Sequence, residues 1–178
     1  MIFLTVGFQL PFDRLVRAVD EWCVERGRND VFGQIADPGH GGYRPHHFEW
    51  TDFIEPNRIQ TIFAEADLVV AHAGMGSLIT ALTLAKPILI MPRRVAFSET
   101  RSDHQVATAE HLGDRPGVRV ALTDAEVGPE LDGLIELAKQ TDVSQPSMFA
   151  ESSLIDTIRS YILDSEGVGA FDDDGYVG

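Results

Sequence analysis

The chain has 178 residues, 44% of them apolar, with 28 acidic against 14 basic residues for a formal charge of −14. That length holds one well-buried core and is short for two domains. The acidity argues against general affinity for nucleic acid or anionic lipid, and no apolar run approaches the ~20 residues that a membrane span needs.

One cysteine, Cys23, excludes an internal disulfide framework and suits a reducing cytoplasm. Residues 1–6 carry no charged leader or cleavage site and read as a first strand, followed by a turn over 7–11. Leu15, Val16, Val19, Trp22 and Cys23 mark one face of a helix ending near Gly27, which places Trp22 and a chemically inert thiol in the core. Residues 31–35 form a second strand, followed by a loop rich in Gly and His over 37–45 and a short strand over 48–50. Ile59, Ile62 and Phe63 indicate a helix. The apolar run 68–71 reads as a buried parallel strand feeding the turn His72-Ala73-Gly74-Met75-Gly76-Ser77. Leu78, Ile79, Leu82 and Ala85 then recur on one face of a helix that begins near Gly76. Lys86-Pro87 opens a strand over 88–91, and Pro92 stops it. A loop leads to a helix over about 103–111 and a strand over 118–121; Leu131, Leu134, Ile135 and Leu137 support a further helix. Leu154, Ile155, Ile158, Tyr161 and Ile162 predict a last helix, and the acidic, glycine-rich end predicts disorder, so the domain is placed at 1–163 and a disordered tail at 164–178.

Strands alternating with helices predict a doubly wound α/β domain with a mainly parallel sheet, whose ligands sit outside the carboxyl ends of the strands. Three turns leave such ends: 7–11, 72–77 and 92–102. The second begins a helix, so unpaired N–H groups and the positive end of the helix dipole face the turn, and small residues there admit a ligand close to the backbone. An anion site, most often for phosphate, is the physical expectation; Gly74 and Gly76 serving only tight helix–strand packing is the plainer alternative. The third turn carries Arg93, Arg94 and Arg101, suited to phosphate or carboxylate unless they are merely solvated. His40, His46 and His47 lack carboxylate or cysteine ligands at helpful spacing, and no metal is expected. Asp13 reads as a carboxylate answering a helix dipole rather than as a base.

Taken together, Thr5-Val6-Gly7-Phe8-Gln9-Leu10-Pro11-Phe12-Asp13, His72-Ala73-Gly74-Met75-Gly76-Ser77, and Pro92-Arg93-Arg94 through Asp103-His104-Gln105 resemble the nucleotide-sugar-binding half of family 28 glycosyltransferases. The likeness is to the small subunits of split enzymes, the Alg13-like and PssE-like proteins. It implies one Rossmann-like lobe of a GT-B fold, UDP-sugar as donor substrate and no cofactor. It also implies a membrane-anchored Alg14-like or PssD-like acceptor subunit, a lipid-linked saccharide acceptor in exopolysaccharide or capsule assembly, and attachment at the inner face of the cell membrane through that partner without insertion of this chain. By the resemblance, His72, Ser77 and the glycines contact the diphosphate, with Met75 in the same turn. Gln105, with Asp103 and His104, lies near the sugar or phosphate, and Gly7 and Gln9 border the cleft. Many relatives carry a ribose-binding glutamate seven residues before the proline that opens the next strand; here that position is Thr80, with Glu99 as a conceivable substitute. Arg93 or Arg94 would pair with a glucuronate carboxylate or with the diphosphate. The catalytic base is expected on the partner, and no catalytic residue is assigned here. Phe8, Leu10, Phe12, Val95 and Phe97 are expected to form an exposed apolar patch facing it. The alternative is a nucleotide-sugar-binding or regulatory subunit that catalyses nothing.

Overall fold

The computed structural model describes residues 1–113 and 115–140; the last predicted helix and the tail lie outside the described residues. Strands β1 (Ile2–Thr5), β2 (Val31–Gln34), β3 (Glu49–Thr51), β4 (Leu68–His72), β5 (Ile88–Met91) and β6 (Val118–Val120) form one sheet in the order β3-β2-β1-β4-β5-β6. Every pairing is parallel. Helices α1 (Asp13–Arg26), α2 (Pro56–Glu65), α3 (Met75–Thr83), α4 (His104–Leu112) and α5 (Asp124–Gln140) make or follow the crossovers. The doubly wound α/β reading is therefore correct, and the sheet is more uniform than expected.

Side chains alternate across each strand. Ile2, Leu4, Val70, Leu89 and Met91 pack on Leu15, Val19 and Trp22 of α1 and Val127, Leu131 and Leu134 of α5. Phe3, Val69, Ala71, Ile88 and Ile90 pack on Phe63 of α2, Leu78 and Leu82 of α3, and Leu112 of α4. With both faces covered, β1, β4 and β5 are apolar at almost every position, which explains their unbroken hydrophobic runs. Cys23 lies in the core, where burial first, and then Asp20 and Asp30, push its thiol up to about 12.

The strand order reverses between β1 and β4. The chain leaves β1 for one face of the sheet and β4 for the other, so a crevice opens between their carboxyl ends.

Two expectations change. Ala85 does not continue the face of α3: it has φ +53°, with its N–H on the Leu82 carbonyl and that of Lys86 on the Ala81 carbonyl. This is a Schellman stop with alanine in the left-handed position that glycine usually fills, forced by Pro87, which keeps the residue before it out of the helix. Phe12 is not on the surface; it is 1% exposed, beneath the Arg93 guanidinium at 4.7 Å.

Candidate functional site

The crevice between β1 and β4 holds Gly7 and His72 face to face. The Thr5 Oγ1 accepts the Gly7 N–H at 3.2 Å and bends the chain into φ +78°, and a Cβ on Gly7 would lie 3.5 Å from His72 Cε1. A Cβ on Gly74 would sit 2.3 Å from His72 Nε2, so the imidazole lies directly against that backbone. Gly76 is different: a Cβ there would meet nothing within 4 Å. Room is left above the first turn of α3.

That turn is uncapped. No side chain caps α3, and its first internally bonded amide is Leu78, on the Gly74 carbonyl at 3.3 Å. The amides of Met75, Gly76 and Ser77 are thus the helix's orphan donors, aimed at the open space with the positive end of the dipole behind them. Such a terminus is a ready anion site. Met75 also packs on the apolar core, and Ser77 is half-buried beside the turn.

His72 adds a neutral ring rather than a charge. Burial first, then the Arg93 guanidinium and His104, bring its pKa down to about 4, with the Thr5 backbone opposing only in part. Its Nδ1 is buried without a formed hydrogen bond. The unfolded chain takes up this proton near pH 6.5 and the folded chain only near pH 4, so stability falls as pH drops through that window. Relative to His72→Asn, the wild-type chain should lose about 2–3 kcal/mol between pH 7.5 and 4.5 in urea unfolding. Parallel pH profiles would show that His72 titrates as an exposed histidine does.

The arginines divide sharply. Arg93 is 4% exposed, and its guanidinium donates to the carbonyls of Pro11 and Leu10 at 2.7 Å, Val6 at 3.0 Å and Glu99 at 3.4 Å. Burial lowers its pKa to about 10, with Glu99 pulling upward, so it stays charged at neutral pH. The expectation that Arg93 reaches a ligand is revised: it braces the 7–11 turn from inside. Arg94 is half-buried, its N–H donates to Glu99 Oε2 at 3.0 Å, and its Nε is buried without a partner. Arg101 is exposed.

Gln105 is 6% exposed, and its Oε1 accepts the Arg93 N–H at 3.1 Å, joining the third motif to the end of β5. Asp103 Oδ1 accepts the Val95 N–H at 2.9 Å; His104 Nδ1 lies 2.6 Å from the Ser102 hydroxyl. Both residues are exposed at the start of α4, and Gln9 is exposed on the β1 turn. Thr80 turns its hydroxyl back onto the Gly76 carbonyl at 2.8 Å. Glu99 is not a free substitute for the missing glutamate, because Arg14 holds both of its carboxylate oxygens at 2.9 Å. The three turns therefore converge, but two residues expected to face a ligand, Arg93 and Glu99, are internal.

Sequence reading missed Arg14 and Asp20. The Asp20 carboxylate, 2% exposed at the side chain, accepts the Tyr43 hydroxyl at 2.7 Å and the N–H groups of His46 and His47. Burial raises its pKa, but these donors outweigh burial and the net shift is downward. The histidine loop is thus tied down through its backbone, and its imidazoles are exposed. Among the described residues no group of three or more His, Cys, Asp or Glu is placed to hold a metal ion. Asp13 accepts the Tyr43 N–H at 3.0 Å, a structural duty at the start of α1.

The chain is similar to several known proteins. Residues 1–131 match the model of the glycosyltransferase family 28 C-terminal domain. A UDP-N-acetylglucosamine transferase subunit ALG13 from Debaryomyces hansenii is 35% identical over 65 residues, covering 36% of this chain and 29% of that protein. The solution structure of an ALG13 superposes with TM-score 0.53 at 21% identity, covering 89% of this chain and 93% of that one. MurG of Acinetobacter baumannii gives TM-score 0.57 at 20% identity, over 89% of this chain and 49% of its own. The spinosyn forosaminyltransferase SpnP gives TM-score 0.57 at 19% identity, over 92% and 39%. At these identities the structures establish a shared fold, and this chain spans less than half of the last two proteins.

Proposed function

The chain belongs to the glycosyltransferase family 28 C-terminal domain family, and from that premise we propose that it is the donor-binding, catalytic subunit of a two-chain inverting glycosyltransferase. The observation that carries the reading is the uncapped first turn of α3, open above Gly76 and lying against His72 at the reversal of strand order. The relative's name, a UDP-N-acetylglucosamine transferase subunit, supports both a UDP-sugar donor and a multi-chain enzyme.

In such a transfer the bond between the anomeric carbon and the diphosphate oxygen breaks as an acceptor hydroxyl attacks from the opposite face. Negative charge grows on the leaving UDP, and the hydroxyl proton passes to a base. Amides fixed at a helix terminus need no reorganisation to meet that charge, and losing one donor of this kind typically costs about 3 kcal/mol. We assign leaving-group stabilisation to the amides of 75–77 with His72 and Arg94, without a metal. The acceptor and base are assigned to the partner. Glucuronosyl transfer would use Arg94 for the sugar carboxylate; UDP-glucose, UDP-galactose and the N-acetylglucosamine of the relative's name are the other donors to compare.

Phe8, Leu10, Val95 and Phe97 are 62%, 54%, 43% and 58% exposed, with Phe53 edge-on to Phe8 at 6.1 Å. They lie on turns at the same sheet edge as the site, where a partner lobe would cover them, and exposed apolar surface of this kind commonly marks an interface. No helix among the described residues is long and apolar enough to cross a membrane; attachment to the inner face of the membrane through an Alg14-like or PssD-like subunit belongs to the proposal.

The test is reconstitution. The purified chain alone should transfer almost no sugar to a lipid-linked acceptor, and adding the membrane-anchored subunit should restore turnover. Robust transfer by the single chain would overturn the two-chain reading. A second reading, a nucleotide-sugar-binding subunit without catalysis, draws on Thr80 and Glu99, neither of which leaves a free carboxylate for the ribose. Partner-supported turnover unchanged by His72→Ala and Arg94→Ala would argue that these donor-site residues are dispensable.

A further inference from the structure

We propose that Glu99, held by Arg14, is a positioning residue for Arg94, and that this internal pair sets the Arg94 guanidinium for a bound anion. The proposal rests on the donor-site reading above and gives Arg14 and Glu99 a role other than ligand contact.

The geometry is that of a tethered loop. Glu99 Oε1 accepts the Arg14 Nε at 2.9 Å, and Oε2 accepts both Arg14 Nη2 at 2.9 Å and the Arg94 N–H at 3.0 Å. Arg14 Nη2 also reaches the Pro92 carbonyl at 3.1 Å. Its guanidinium lies over the rings of Phe97 at 4.7 Å and Phe12 at 5.4 Å. The two side chains are only 15% and 11% exposed. Backbone bonds from Phe97 and Glu99 to the Arg94 carbonyl close the segment on itself, and Asp103 pins the Val95 N–H. The chain on both sides of the Arg94 Cα is therefore fixed.

A largely buried ion pair is a poor source of net stability, because desolvation of both ions offsets much of their attraction; geometry is its clearer product. What it fixes here is an arginine with work left to do. Arg93 donates to four carbonyl oxygens, whereas among the described residues Arg94 has no carboxylate within ion-pair distance, its charge being felt only at longer range by Glu126. An anion at the carboxyl edge would meet the terminal amines of Arg94, which donate to nothing among the described residues, in charge-assisted bonds.

A double-mutant cycle tests this, read as the affinity of the full chain for UDP without added metal. Arg94→Ala should weaken UDP binding about 10- to 100-fold, the range for a hydrogen bond to a charged group. Glu99→Gln should weaken it roughly 3- to 10-fold in the wild-type background and leave it unchanged once Arg94 is alanine, since coupled residues are non-additive. A merely structural Glu99 would show the same loss in both backgrounds, and that result overturns the proposal, as would a Glu99→Gln chain that binds normally. Thermal unfolding accompanies each variant. If Glu99→Gln does not fold, Arg14→Met, which keeps packing between Phe12 and Phe97, replaces it in the cycle with the same expectations. UDP binding unaffected by both Arg94→Ala and His72→Ala would remove the donor-site reading and this proposal together; UDP binding lost with Arg94→Ala but with additive Glu99 effects removes the proposal alone.

Discussion

Replacing Arg93 by methionine should cost the folded chain about 3–4 kcal/mol and lower its melting temperature by about 10 °C. The guanidinium is the common donor for carbonyls of the β1 turn and of the β5 loop, so its loss leaves the carbonyls of Val6, Leu10 and Pro11 short of a partner, the Val6 one in a buried position. Methionine restores much of the packing over Phe12 but none of the hydrogen bonds. Arg101→Met, on the exposed part of the same loop, should stay within about 0.5 kcal/mol of wild type. The comparison separates two ideas of the arginine cluster. Were Arg93 a ligand contact, its removal would spare the stability of the free chain and weaken ligand binding alone; a loss under about 1 kcal/mol in urea unfolding would contradict the brace described above.

The two glycines of the α3 turn should respond in opposite ways to alanine. At Gly74 the new methyl would sit 2.3 Å from His72 Nε2, so the half-buried ring must shift to admit it. Overpacking of this kind costs about 1–3 kcal/mol and displaces the imidazole from the turn. At Gly76 the methyl enters open space, and alanine is the better helix former by about 1 kcal/mol, so the free chain should become slightly more stable. If the open space is where a diphosphate lies, that more stable variant should nevertheless bind UDP about 10- to 100-fold less well. Unfolding curves and UDP titrations of both variants read the outcome. A Gly76→Ala chain that is stabilised and binds normally would show that the space above α3 is not the anion site.

Much of this was legible because periodicity reports which face of an element is covered. The strand ends came within a residue or two, and the turns at 7–11, 72–77 and 92–102 do meet at one edge of the sheet. What sequence could not report was direction. Arg93 and Arg94 are adjacent and chemically identical, yet Arg93 is buried and Arg94 only half-buried; only the carbonyl oxygens of a turn more than 80 residues earlier decide which. The Arg14–Glu99 pair is separated by 85 positions and has no local signature. Phe12 and Phe8 share a turn and a residue type, and differ because Phe12 is roofed by two guanidinium groups while Phe8 is left for solvent. Ala85 was misplaced because the helix pattern runs on past the point where Pro87 stops the backbone.

The central claim is that the first turn of α3 and His72 form a nucleotide-diphosphate site. Calorimetric titration of the full chain with UDP, UDP-glucuronate, UDP-glucose, UDP-galactose and UDP-N-acetylglucosamine, without added metal, tests it most directly, with His72→Ala as the control. Saturable binding that falls at least about tenfold in the variant is the expected result, and the tightest ligand names the donor. No binding to any of the five, either by the chain alone or with the proposed acceptor subunit present, would contradict the claim.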